Sequence, residues 1–214
     1  ERYVCVTVNE CTEQQAQQIA HLLDSMWREH GYAPVFLSHF GDPQNPESGD
    51  IQAHQRIAEQ LSPSTPATLL PILHADQSVT VHRGAAFTLT SRYHPAVFSA
   101  AAGIPVLTLV PDAFTQVRVG GALSLYGLGD FTLPLGMLAG GVPELMVAAA
   151  MQHAAVASDA RRAELVEVLQ ADRAYLLAQI LASSAEARDK AETRGEVEAP
   201  APFPAVEQVP ALPE

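Results

Sequence analysis

AFTLTSRYHPAVFSAAAGIPVLTLV, residues 86–110, decides the fold. It divides into an apolar run at 86–90, a polar corner Ser91-Arg92-Tyr93-His94, a small-residue helix at 95–102, a stop at Gly103 and a second apolar run at 104–110. Pro95 suits the first turn of a helix, where its missing N–H is not needed, and Gly103 suits the left-handed cap that ends one. A strand, a helix and a strand in so short a stretch imply a right-handed crossover between parallel strands. That geometry sets Arg92 and His94 at the carboxyl end of a strand and against a helix N-terminus, where open α/β sheets bind anions.

The flanks repeat the alternation. Upstream, Tyr3 to Val8 is a β-branched run, and Thr12 with Gln15 three residues later forms a capping-box pattern. Ile19, Leu22, Leu23, Met26 and Trp27 then share one helical face, and Gly31 closes the helix. A second strand is predicted at 33–38, a Gly/Pro/Asn/Asp-rich loop at 40–50 and a helix at 51–61. A short strand at 68–73, despite Pro71, and a brief helix or turn at 76–84 complete the first half. Downstream, residues 112–129 contain a helix that Gly120-Gly121 is expected to break, followed by an apolar segment at 131–135. Helices are predicted at 142–157 and 160–183. Alternating strands and helices imply an α/β fold with a parallel sheet covered on both faces. The domain is expected to span 1–185. Residues 186–214, charged and then rich in Pro, Ala and Glu, are expected to be disordered.

Composition narrows the partners. Twelve basic against 24 acidic residues, net −12, argue against non-specific nucleic-acid binding. The two cysteines, Cys5 and Cys11, match neither a redox CxxC pair nor a zinc site, and point to a reducing compartment. No apolar run approaches the roughly 20 residues that cross a bilayer. The expectation is a cytoplasmic protein, with peripheral membrane association compatible with it. The chain begins without Met and turns strand-like at once, so it is expected to be a piece of something longer with no leader before the fold.

Arg92 offers a planar fork to a phosphate or carboxylate, and His94 titrates near neutral pH and suits a general acid or base. Equally, Arg92 pairs with a surface carboxylate and His94 merely caps a helix. Arg118 is a second candidate anion clamp or a solvated helix residue. His39 and His74 end strands; His82-Arg83 sits below the central unit; Asn9 and Glu10 follow the first strand. No Cys/His cluster suggests a metal, no GxSxG suggests a hydrolase and no GxGxxG suggests a dinucleotide site.

Thr90-Ser91-Arg92-Tyr93-His94, with the apolar helix and Gly103-Ile104-Pro105 that follow, resembles the signature of the polysaccharide pyruvyl transferases. Arg118 stands where that family often carries a basic residue, ahead of Tyr126-Gly127-Leu128-Gly129. The likeness is specific over 86–135, architectural over 1–73 and absent from the tail. It implies a Rossmann-like sheet resembling the C-terminal domain of a GT-B fold, with the N-terminal domain missing from this chain. It implies transfer of a pyruvyl group from phosphoenolpyruvate, the donor, to a hydroxyl pair of a sugar or glycan acceptor as a ketal, in cell-surface polysaccharide biosynthesis, with no further cofactor. Arg92 and His94 would be catalytic, and Ser91, Tyr93 and Arg118 would bind substrate. The pattern departs at Val8-Asn9-Glu10, where relatives carry an Arg. A nucleotide-sugar glycosyltransferase or epimerase of GT-B type is the alternative function, and a non-catalytic binding homologue a third.

Overall fold

In the computed structural model, which describes residues 2–42, 44–45, 48–156, 167, 170 and 175, the β-branched opening run becomes β1 (Tyr3–Thr7). Helix α1 (Glu13–His30) starts on the capping box of Thr12 and Gln15 and stops at Gly31, whose φ of 67° is the left-handed conformation that favours glycine. There follow β2 (Ala33–Leu37), α2 (Asp50–Glu59), β3 (Thr68–Leu70), α3 (Ala75–Gly84), β4 (Phe87–Thr90), α4 (Tyr93–Ala101), β5 (Val106–Val110), α5 (Ala113–Ser124), β6 (Thr132–Pro134), a short 3-10 turn (Leu135–Met137) and α6 (Val142–Val156).

The six strands are all parallel, in the order β3-β2-β1-β4-β5-β6. This is a doubly wound Rossmann-like sheet, and its direction of winding reverses between β1 and β4. Helix α1 packs on α2 and α6, and α4 packs between α3 and α5, so helices cover both faces, as a parallel sheet requires.

The two faces differ in chemistry. Under α1, α2 and α6 the strands present Val4, Val6, Phe36, Phe87, Leu89, Leu107 and Leu109, all fully buried. Each such Leu or Phe contributes about 1.5–3 kcal/mol. Alternation along the same strands turns Cys5, Thr7, Thr88, Thr90 and Thr108 to the α3–α5 side, also fully buried. The small residues Ala96, Ser99 and Ala100 of α4 are buried there, and Ser99 Oγ donates to Thr88 Oγ1 at 2.8 Å.

Three expectations need correction. Helix α4 begins at Tyr93, two residues before Pro95; the proline still falls in the first turn, where no helical acceptor awaits its N–H. Strand β3 ends at Leu70 instead of 73, because Pro71 has no donor for the ladder. Helix α5 runs straight through Gly120-Gly121: the buried Val119 and Leu123 anchor it on either side of the pair. The chain divides into two compact units, Glu1–Val166 and Glu167–Glu214, and every element named here belongs to the first. Apart from Glu167, Gln170 and Tyr175, which are helical, the helix expected at 160–183 lies outside the described residues, as does the tail at 186–214.

Candidate functional site

The carboxyl ends of β1, β2, β4, β5 and β6 border a crevice of about 820 Å³. Asn9, Glu10, Cys11 and Thr12 supply one wall, Gln52, Ala53 and Arg56 of α2 another, and Phe40, Arg92, Pro111, Leu135 and Gly136 close the remainder. It lies at the reversal point of the sheet, where ligands of open α/β folds bind.

Arg92 reaches this crevice from the N-cap position of α4. Its Nε and Nη2 donate to a single oxygen of Asp50, Oδ1, at 3.0 and 2.5 Å. Asp50 is wholly buried, and its Oδ2 accepts the backbone N–H groups of His39 at 2.8 Å and Phe40 at 3.1 Å. The guanidinium also lies over the Phe40 ring, 5.4 Å from its centroid. Arg92 therefore pairs with a carboxylate, a buried one, and Nη1 is left without a partner among the described residues. Arg56 is held similarly. Its Nη1 donates to Cys11 O at 2.6 Å and its Nε lies 3.7 Å from Glu13, so Nη2 has no partner among the described residues. Two fixed cations, each with a spare terminal nitrogen, line one cavity.

The other residues of the polar corner go elsewhere. Ser91 is buried and clasps Asn9, donating to Asn9 Oδ1 at 2.6 Å and accepting the Asn9 N–H at 2.9 Å. It thus fixes a crevice-lining residue without lining the crevice itself. Tyr93 packs on the core beneath α4 and α5, and the Arg118 guanidinium stacks on its ring at 5.2 Å and on Phe114 at 5.9 Å. His94 is exposed and sets its ring edge-on to Tyr93 at 5.5 Å. Arg92 thus stands in the crevice, while Tyr93, His94 and Arg118 form a second cluster at the start of α4 and α5 that does not line it.

Behind the crevice lies a set of histidines whose roles spacing alone did not reveal. His54 Nε2 accepts the Val8 N–H at 3.0 Å, which leaves the ring proton on Nδ1, 3.2 Å from Ser38 Oγ. Burial, only partly opposed by Asp50, pulls its pKa from 6.5 down to about 4. His82 Nε2 lies 3.1 Å from His39 Nε2, and its Nδ1 lies 3.2 Å from Ser99 Oγ. Since Ser99 spends its proton on Thr88, His82 Nδ1 donates to Ser99 and His39 Nε2 donates to His82. Burial lowers His82 to about 4 as well, and lowers His39. These rings are neutral hydrogen-bonding struts that tie the ends of β1 and β2 to α2, the end of β2 to α3, and α3 to α4. Among the described residues no group of three or more His, Cys, Asp or Glu could hold a metal ion, and no helix is long and apolar enough to cross a membrane.

No protein-family model matches the chain, and no curated protein matches it. Solved structures to which it is similar include a UDP-GlcNAc 2-epimerase from Methanocaldococcus jannaschii, at 12% identity over 79% of this chain and 45% of that one, TM-score 0.48. Another is the glycotransferase of kitacinnamycin, at 14% identity over 80% of this chain and 40% of that one, TM-score 0.49. A third is a Thermobaculum terrenum O-GlcNAc transferase mutant, at 13% identity over 80% and 35% of the two chains, TM-score 0.44. The chain thus spans less than half the length of each. At these scores the likeness adds nothing to what the strand order establishes.

Proposed function

We propose that the chain is the donor-binding half of a cytoplasmic transferase or epimerase, and that its crevice seats the anionic part of a nucleotide sugar. The carrying observation is the cavity itself: about 820 Å³ at the reversal of the sheet, with Arg56 and Arg92 both in its lining. That volume sits within the roughly 300–1,000 Å³ of sites for ligands of drug size, whereas a three-carbon donor would fill only a corner. Held by its other nitrogens, each guanidinium turns one charged terminal nitrogen to the cavity, so the pair suits the two phosphates of a diphosphate. The acceptor side of the site would come from residues outside this chain.

Transfer of a pyruvyl group from phosphoenolpyruvate is the second reading, favoured by Ser91-Arg92-Tyr93-His94 with Gly103-Ile104-Pro105. It needs an acid or base beside the donor, and His94 does not line the crevice. One experiment separates the two. Thermal unfolding would be followed with uridine diphosphate, a uridine-diphosphate sugar and phosphoenolpyruvate, each against buffer. Stabilisation by the nucleotides and not by phosphoenolpyruvate is expected; the reverse pattern would transfer the assignment to pyruvyl transfer. Arg92→Ala and Arg56→Ala should each abolish the shift.

A further inference from the structure

We propose that the Phe40 ring is the platform on which the base of the nucleotide stacks, with Arg92 holding the ring's opposite face. This rests on the reading of the crevice as a nucleotide site and adds the orientation of the ligand within it.

Phe40 leaves 64% of its surface exposed although it lines the crevice. Among the described residues it belongs to none of the buried apolar clusters or their flanks. Its backbone nevertheless is tightly held. The Phe40 N–H donates to Asp50 Oδ2 at 3.1 Å and the Phe40 carbonyl accepts the Asp50 N–H at 2.9 Å. Gly49 crosses so near that a Cβ there would stand 2.2 Å from the Phe40 carbonyl oxygen. The fold thus fixes an apolar ring in the open, with a cation over one face at 5.4 Å.

A flat, electron-poor heterocycle matches the remaining face. Stacking on an aromatic ring tolerates any base, because every base has a π-face. The cation that covers the ring also lines the cavity that would take the phosphates, so base and phosphate contacts are bracketed by the same Phe40–Arg92 pair.

The test measures, by titration calorimetry, the binding of uridine diphosphate, adenosine diphosphate and inorganic pyrophosphate to the whole chain as wild type, Phe40→Ala and Phe40→Trp. Phe40→Ala is expected to weaken both nucleotides about tenfold or more, the loss of one stacked base, and to leave pyrophosphate within twofold. Phe40→Trp is expected to restore nucleotide affinity and to change its emission on binding. Because the side chain is exposed, unfolding midpoints should agree among the three proteins. Equal losses for nucleotide and pyrophosphate would show that Phe40 only shapes the loop, and unchanged nucleotide binding would place the base elsewhere; either overturns the platform while leaving the crevice. A wild type that binds pyrophosphate but neither nucleotide would overturn the nucleotide reading itself.

Discussion

Arg92 and Asp50 meet through one carboxylate oxygen: both Nε and Nη2 converge on Oδ1, while Oδ2 faces two backbone amides. The pair is asymmetric, with the acid wholly buried and 29% of the arginine side chain exposed. Removing the acid strands a cation and two amide donors, whereas removing the cation leaves a carboxylate that still has its two amides. Asp50→Ala should cost about 3–5 kcal/mol and Arg92→Ala only about 1–3 kcal/mol. Urea unfolding of the two variants checks the order, and equal costs would contradict it.

Acid should weaken the fold through His54 and His82. Both carry folded pKa values of about 4 against an ordinary 6.5. Between these limits the unfolded chain binds protons that the folded chain refuses, so stability falls as pH drops from 6.5 to about 4 and this contribution levels off below. At about 1.4 kcal/mol per pH unit, each ring accounts for on the order of 3 kcal/mol. Denaturation midpoints measured across that window should show the decline, and His82→Leu should make it shallower.

Ser91→Ala should destabilise by about 1–3 kcal/mol, because it strips both the Asn9 N–H and Asn9 Oδ1 of their partner. The same variant should lose ligand-induced stabilisation, since Asn9 lines the crevice. Thermal melts with and without uridine diphosphate read both effects.

Two glycines should respond in opposite directions to alanine. Gly49 has a φ of 59° and no room for a Cβ beside Phe40, so Gly49→Ala should cost roughly 2–3 kcal/mol. Gly121 lies inside α5 with open space around it, and Gly121→Ala should stabilise by about 0.5–1 kcal/mol. Calorimetric melting of both variants tests the contrast.

The alternation of strands and helices was legible because each apolar run is bounded by its own punctuation: Thr12 and Gly31 around α1, Gly103 after α4. The place of Arg92 at the strand end was legible for the same reason. Its partner was not, since Asp50 lies 42 residues away and reads locally as an acid at a helix N-terminus. His54 is likewise hidden: its partner Val8 is 46 residues distant, and a lone histidine on a short helix carries no mark of burial. The break expected at Gly120-Gly121 failed because tertiary anchoring outweighs the roughly 1 kcal/mol that each glycine costs a helix. Arg92, Tyr93 and His94 are adjacent in sequence, yet a helix start turns adjacent side chains outward in different directions, and so the corner divides between two clusters.

The joining of β1 to β4 also governs when the site comes into being. Thr7 and Thr90, which bond across that seam, are 83 residues apart. Pairings so distant must close a long loop before any contact rewards it, which slows folding. The crevice straddles the same seam, so neither half of the sheet possesses it alone. A ligand there should therefore protect the sheet as a whole, and amides of β1, β4 and β5 should slow their hydrogen exchange together when it binds.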